Sequence, residues 1–585
     1  MPKICNVCGA INKDSLSTCV YCLSPLSTTE NTKSVKVQTC DDNLQSNQAE
    51  SSNSKPSSNI AGVYFFDKKK SQSSIMNYSN GQPRYLFDSE NWEEAWTEKR
   101  NKNTLLGIIL TDTTKAVNDE FANALNEYVD YKLKNGIEYV ILDLKSQCVC
   151  SVESGSCEDL VDLLNTIYEV EIPDYLLIVG DDTVIPKMKW KNQSADDDLD
   201  VPSDLPYITL DTASPWSGVE YDFSNLTVVG RIPAIPENGF IHAINYFNNA
   251  KKFAGYNNAT AFAYSAMEWY KTSQAEFSPI RPLLITSPDY TCNADRAKRN
   301  GLKLLGKLDC KYNLLCFNLH GTDSDHKWYG QLKDSYPDAF SQELLPKSDS
   351  GYVLMTEACY GARPLINKNG GQSIVVHALS NNCMGFVGST RIAYGQANGH
   401  ISCADVIANV FTESVAKGET CGQAFLLALD KLYKDKMNEA EIKTLAEFAL
   451  YGDPSIVLVK SSSAKKVGNL ALSKPKANSS LSISLYSCNS AASTYERKRG
   501  RFTLYTYSPE RQEEYKTMAF SIERTSKTFM AKTYSKLSNE EPRVYKVVGR
   551  EGYRAVYSKE SGGVKDTVIL HLDDSGKIKN IYTSK

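Results

Sequence analysis

Apolar residues recur along this chain in short runs, each bounded by glycine or polar positions. Such runs are Thr104-Leu-Leu-Gly-Ile-Ile-Leu, Tyr139-Val-Ile-Leu-Asp-Leu, Asp174-Tyr-Leu-Leu-Ile-Val-Gly, Leu226-Thr-Val-Val-Gly and Pro282-Leu-Leu-Ile-Thr. Three more follow, at Asn313-Leu-Leu-Cys-Phe-Asn-Leu, Gly351-Tyr-Val-Leu-Met-Thr-Glu-Ala and Met384-Gly-Phe-Val-Gly-Ser-Thr. Runs of this length, apolar without alternation, predict strands buried on both faces of a parallel sheet. Between them, helical periodicity predicts helices over about 115–135, 157–169, 238–254, 402–417 and 421–434. This alternation predicts an α/β fold with helices on both faces of a largely parallel sheet.

Past Val459 the pattern changes. Arg501-Phe-Thr-Leu-Tyr-Thr-Tyr and Thr567-Val-Ile-Leu-His-Leu alternate apolar with polar, the period of half-buried strands. Residues 465–585 are therefore expected to form a basic, β-rich C-terminal domain. Residues 27–60 are rich in Ser, Thr, Asn and Gln and predict a disordered linker. The α/β part divides into an N-terminal subdomain over 61–255 and a second over 256–460.

The first 26 residues carry Cys5-x2-Cys8 and Cys19-x2-Cys22. Four thiolates at this spacing fit tetrahedral Zn²⁺, as in a short zinc ribbon whose folding energy comes mostly from the metal. The chain has 16 cysteines, but outside this cluster they are dispersed in apolar surroundings, which argues against a disulfide scaffold. A net charge of −4 excludes a whole-chain polyanion binder, and the ribbon lacks a basic, aromatic surface, so nucleic acid is not favoured as a partner. No signal segment or membrane-length run is visible, and a cytoplasmic protein with no membrane partner is expected.

Candidate chemistry sits at the ends of two of the strands. One run leads into His320-Gly321, the next into Cys359-Tyr360-Gly361. Side chains just past the carboxyl ends of parallel strands reach the ligand crevice of α/β proteins. A thiol delivered there beside an imidazole is a nucleophile–base pair. The backbone N–H groups of Gly321 and Cys359 are candidate oxyanion donors.

The residues around the pair resemble a family. Asn318-Leu319-His320-Gly321 with Trp328-Tyr-Gly330, and Glu357-Ala-Cys359-Tyr-Gly361, are similar to the His-Gly and Ala-Cys elements of gingipain-type cysteine peptidases, relatives of the caspases. Tyr175-Leu-Leu-Ile-Val-Gly-Asp181, Ser203-Asp204-Leu-Pro-Tyr207, Val229-Gly230-Arg231-Ile-Pro233 and Tyr451-Gly452-Asp453-Pro454-Ser455 match further family segments in order, over about residues 100–460. The resemblance implies two caspase-like, doubly wound subdomains, with Cys359 as nucleophile, His320 as general base and Gly321 at the oxyanion site. It implies a carboxylate that orients the histidine, to be chosen among Asp196, Asp197, Asp198 and Asp200. An exposed acidic loop or a Ca²⁺-binding turn is the other reading of that run. It also implies that Asp204 lies at the base of the substrate pocket and attracts Arg or Lys, with Tyr394 as an aromatic wall. The expected function is an intracellular cysteine endopeptidase acting on protein or peptide substrates after basic residues, in a maturation, death or defence pathway. The cluster Arg497-Lys-Arg499 and Arg501 is a candidate self-cleavage site. The alternative is an inert scaffold recruiting protein partners through the ribbon and the basic C-terminal domain.

Overall fold

In the computed structural model of the chain the described residues are 104–116, 119–144, 157–194, 196–223, 226–284, 312–323, 327–331, 336–346, 351–364, 372–397, 399–434, 437–460, 512–546, 552–561 and 563–585, with short strands at 3–4, 11–12, 493–496 and 503–506. The chain forms two units, Met1–Asn59 and Ile60–Lys585. In the first, Lys3–Ile4 pairs antiparallel with Ile11–Asn12. Cys5, Cys8, Cys19 and Cys22 lie outside the described residues, as do the linker and the 497–501 cluster.

The second unit is built on a nine-stranded sheet. Its strands are β1 (Leu105–Thr111), β2 (Ile137–Asp143), β3 (Tyr175–Val179), β4 (Val228–Ile232), β5 (Ala261–Ser265), β6 (Leu314–Asn318), β7 (Tyr352–Thr356), β8 (Cys383–Ser389) and β10 (Phe448–Gly452). A short strand, β9 (Tyr394–Gly395), belongs to another sheet described below. The order is β2-β1-β3-β4-β10-β8-β7-β6-β5. Each neighbouring pair runs parallel except β10 with β8, so two parallel halves meet at one antiparallel seam. β3, β4, β6, β7 and β8 are buried along their whole length, as their unbroken apolar runs require. The result is the mixed α/β, mostly parallel architecture expected from the sequence.

The helices of seven residues or more among the described residues of this part are α1 (Asp119–Lys134), α2 (Glu158–Val170), α3 (Ile241–Ala250), α4 (Tyr270–Glu276), α5 (Ile374–Ser380), α6 (Ala404–Ala416), α7 (Cys421–Leu432) and α8 (Glu439–Glu447). α1 opens on Asp119 and Glu120 and closes on Lys132 and Lys134, charges that complement its dipole. α8, not expected from the sequence, starts at a capping box in which Asn438 and Glu441 satisfy each other's backbone N–H.

One run reaches the sheet later than pattern reading places it. Ser278–Leu283, containing Pro282, is a 3₁₀ helix, Leu284 bridges parallel to Ala261 of β5, and residues 285–286 of the expected strand lie outside the described residues. Pro282 has no N–H to give a ladder, whereas Ala261-Phe-Ala-Tyr-Ser is only moderately apolar and gave little signal.

Two family motifs join β10 to the N-terminal half of the sheet. Asp453, buried beyond β10, accepts hydrogen bonds from Tyr128 and from Tyr139 (2.8 Å) and pairs with Lys132 (3.0 Å). A methyl group at Gly230 would lie 2.3 Å from the Gly452 carbonyl oxygen, so β4 and β10 approach closely only because Gly230 has no side chain.

The C-terminal domain is not all β. It combines a 22-residue helix, α9 (Gln512–Thr533), with β11 (Ser493–Glu496), β12 (Thr503–Thr506), β13 (Arg543–Lys546), β14 (Tyr553–Ser561), β15 (Val564–Leu572) and β16 (Ile578–Ser584). Ile522 and Met530 of α9 pack on Val544, Tyr557, Val568 and Leu570. The edge of this sheet is supplied by the first part of the unit: the order β9-β16-β15-β14-β13-β12-β11 begins with Tyr394–Gly395.

Candidate active site

β6 and β7 lie side by side, Phe317 opposite Thr356. The Glu357 N–H continues the pairing to the Phe317 carbonyl at 2.9 Å. The loops that follow carry His320 and Cys359 out of the same edge of the sheet. Their backbones touch: a methyl at Gly321 would sit 1.9 Å from the Cys359 carbonyl oxygen and 3.1 Å from its nitrogen. The structure therefore brings the backbones of Gly321 and Cys359 into contact, with glycine required at the closest point, and sets His320 on the loop next to the one that carries Cys359.

The histidine is held from three sides. Its Nε2 bonds Gln331 Oε1 at 2.9 Å, and its ring packs on Trp269 (4.3 Å between centroids) and edge-on to Tyr336 (4.9 Å). An acceptor at Gln331 places the proton on Nε2 and leaves Nδ1 as the basic nitrogen. Nδ1 is buried with no hydrogen-bond partner among the described residues. Burial lowers the His320 pKa to about 4, so the ring is neutral near pH 7. Burial likewise raises the Cys359 thiol well above its ordinary value. Sγ points to the Ala393 carbonyl oxygen at 3.7 Å.

The turn after the nucleophile is strained and buttressed. Tyr360 has φ of 55°, a left-handed conformation that costs a non-glycine residue about 1–3 kcal/mol. Its hydroxyl donates to Asp198 (2.5 Å), and its N–H donates to the Arg391 carbonyl (2.8 Å). Asp198 also accepts from the Ile392 N–H (2.9 Å) and from Lys443 (2.6 Å). Asp196 accepts from Lys443 (2.5 Å) and from the Tyr394 hydroxyl (2.7 Å). Asp200 pairs with Arg391, and Asp197 with Arg543 and Lys565. All four acidic candidates are thus committed to other partners, and the neutral Gln331 occupies the position beside His320. The acidic run supports the nucleophile turn instead.

Asp204 is placed elsewhere than the resemblance implies. Arg231 binds both of its oxygens, Nη2 at 2.6 Å and Nε at 3.0 Å, and gives Nη1 to the Gly180 and Ile185 carbonyls at 2.8 Å each. Arg231 is fully buried, so this fork-shaped pair is an internal brace that joins two family motifs.

A different acidic pocket opens beside Cys359. Glu276 from α4, Glu357 after β7 and Asp405 from α6 hold carboxylate oxygens within 4.8 Å of one another, all buried. Desolvation and the neighbouring carboxylates raise the pKa of Glu276 strongly and that of Asp405 to about 8. Into this pocket comes the Lys585 side chain. Its Nζ lies 2.9 Å from Asp405 Oδ1, 3.4 Å from Glu357 Oε2 and 3.1 Å from Asn318 Oδ1, and 4.5 Å from the Trp269 ring centroid. The ammonium thus donates a hydrogen bond to Asn318 and pairs electrostatically with two carboxylates, and the indole adds a cation–π face. The Cys359 N–H donates to the Lys585 main-chain oxygen at 3.2 Å.

Trp269 is the aromatic ring that faces the Lys585 ammonium. Tyr394 contributes its backbone to the cleft, while its hydroxyl turns away to Asp196. Sequence reading missed Gln331, Trp269, Glu276, Asp405 and Lys585. Asn318 and Glu357 were within reach: each stands two residues before a catalytic candidate, at or just past the end of its strand.

A thiol, an imidazole with a free basic nitrogen and an N–H oriented toward an acyl oxygen, all at the carboxyl edge of a caspase-like sheet, define a cysteine peptidase. The profile of peptidase family C25, the gingipain family, matches residues 107–459, and the chain belongs to that family. Among solved structures, one titled "Structure of Protease" is 11% identical, with a TM-score of 0.41, over 83% of this chain and 92% of that one. A search of curated proteins found no match.

Proposed function

We propose that the protein is an endopeptidase that cuts after lysine, with arginine second, in an intracellular setting. The observation that carries this is the Lys585 ammonium between Asp405, Glu357 and Asn318 while its main-chain oxygen accepts from the Cys359 N–H. A substrate lysine bound in the same way presents its carbonyl to the thiol. His320 Nδ1 takes the Cys359 proton as sulfur attacks the carbonyl carbon, and the oxyanion forms on the Cys359 N–H. The imidazolium then protonates the leaving amine, and water hydrolyses the thioester with His320 again as base. An ammonium point charge held by two ion pairs and the Asn318 hydrogen bond favours lysine as the seated residue. The intracellular setting is supported by cysteines 157, 316, 383, 403 and 421, which are unpaired and buried as hydrophobes.

Fluorogenic peptides ending in Lys, Arg or Asp test the reading. Lys peptides are expected to turn over fastest, Asp peptides not at all, and Cys359→Ala to abolish turnover. Equal rates for Lys and Asp peptides, or an active Cys359→Ala, would refute it.

The four N-terminal cysteines are proposed to hold one Zn²⁺, on the strength of their spacing. Metal analysis of purified protein is expected to give one zinc per chain, lost in Cys5→Ser/Cys8→Ser. A zinc-free wild type would reject that proposal.

A further inference from the structure

The chain's own C-terminal strand lies where a substrate would. β16 runs antiparallel to β9, Ser584 opposite Tyr394 and Thr583 opposite Gly395. The ladder continues to the cleft: the Lys585 N–H donates to the Ala393 carbonyl at 3.0 Å, and Lys585 then meets the Cys359 N–H. The Thr583 hydroxyl donates to the Gly395 carbonyl at 3.3 Å. Main-chain hydrogen bonds to an exposed edge, with one side chain in a deep pocket, are how extended peptides are recognised by strand addition.

With the strand in place the machinery is closed. Cys359 is 3% exposed and His320 1%. No free peptide reaches either atom in this arrangement. The domain carrying the strand also reaches the histidine side, since Asp566 accepts from the Tyr336 hydroxyl (2.8 Å), whose ring packs on His320.

The strand is anchored in its own sheet. Ser584 Oγ accepts from the Thr567 N–H (2.8 Å) and donates to the Lys565 carbonyl (3.0 Å). The contacts between this domain and the peptidase part are of two kinds: ion pairs and hydrogen bonds, as of Arg554 with Glu439 (2.9 Å), Lys536 with Glu268 (3.3 Å), Arg543 with Asp197 (2.9 Å) and Tyr582 with Asn438 (2.7 Å), and one buried apolar cluster in which Val556, Ile569 and Tyr582 pack on Ile392, Tyr394 and Cys403.

We propose that the backbone edge 393–395 is the strand on which substrates add, and that residues 583–585 are its intramolecular occupant, so that the chain is latent until they withdraw. The proposal rests on the peptidase reading above. A tethered ligand acts at an effective concentration on the order of mM, which a dilute substrate does not outcompete. Release requires only that the C-terminal domain tilt or its last strand peel from β9. The acidic pocket and the ladder edge then become available to a lysine-containing segment of another protein.

The test compares wild type with Lys585→Ala and Lys585→Glu, the latter setting a negative charge against Glu276, Glu357 and Asp405. Neither change touches the C-terminal domain's apolar core, and circular dichroism confirms folding. Two readouts are taken: turnover of Tyr-Thr-Ser-Lys-aminomethylcoumarin, and the rate of iodoacetamide labelling at Cys359 by mass spectrometry. If the closed form dominates, both variants should gain at least about tenfold in kcat/KM and in labelling rate. Wild type as active and as quickly labelled as the variants overturns the latch and leaves the peptidase standing. Faster labelling in the variants with no turnover by any form upholds the latch and refutes the peptidase reading. Unchanged labelling with no turnover overturns both.

Discussion

Cys359 and His320 meet because two neighbouring parallel strands end at the same edge and because the residue after the histidine has no side chain. That much was readable from two apolar runs, each leading to a reactive residue with a glycine nearby. What surrounds them was not. The acidic run Asp196, Asp197, Asp198 and Asp200 offers charge in plenty, but nothing local says that Lys443, far along the chain, takes two of those carboxylates. Asp204 had a role by resemblance, yet Arg231 claims it. The pocket acids come from three separate elements, and a single sequence does not show their convergence. Gly395 is the residue most sensitive to change there. A methyl at this position would lie 2.2 Å from Lys585 Cε and 2.5 Å from Asp405 Oδ1. Overpacking of this kind costs about 1–3 kcal/mol, which is about ten- to hundredfold in affinity. Gly395→Ala should therefore raise KM for Lys peptides by such a factor, measured in a released variant such as Lys585→Ala. An unchanged KM would remove the pocket from beside Gly395.

At the scale of elements, the continuous apolar runs were reliable and the ambiguous ones were not. Seven of the eight strands read from apolar runs in the α/β part are present, because a strand buried on both faces has no polar alternation to confuse it. The run at Pro282 begins in a 3₁₀ turn, where proline has no N–H to give, and reaches the sheet only at Leu284, which bridges parallel to Ala261. α9 was hidden because its residues Gln512-Glu-Glu-Tyr-Lys-Thr sit beside strand-like stretches, and tertiary packing decided the outcome. The attachment of β10 to α1 and β2 depends on Asp453. Burial works to raise its pKa, but Lys132 and hydrogen bonds from Ser455 and Tyr128 outweigh that and lower it. A carboxylate depressed in this way stabilises the folded state above its unfolded pKa of about 3.9 and loses that contribution as pH falls further. Asp453→Asn leaves Lys132 buried without its counter-charge and should cost about 3–5 kcal/mol at pH 7. It should also flatten the loss of stability below about pH 4. Urea midpoints at pH 7 and pH 3 check both, and a variant as stable as wild type at pH 7 would contradict the brace.

The whole molecule differs most from its sequence reading in how the C-terminal domain relates to the rest. Composition marked it as a separate, basic, β-rich appendage, and its charge is real. Those charges are spent on the peptidase part, Arg543 and Lys565 on Asp197, Arg554 on Glu439 and Lys536 on Glu268. Its last strand completes a sheet whose edge lies beside the nucleophile, a pairing that no periodicity in either segment announces. The family profile ends at residue 459, so this arrangement belongs to the part of the chain beyond it.

The central claim is that Cys359 cleaves after a lysine seated among Glu276, Glu357 and Asp405. The most direct measurement is release of coumarin from Tyr-Thr-Ser-Lys-aminomethylcoumarin by Lys585→Glu, with and without the added change Cys359→Ala. Release by the first that falls to background in the second is the predicted result. Release that survives loss of the thiol, or none from the unlatched protein, would contradict it.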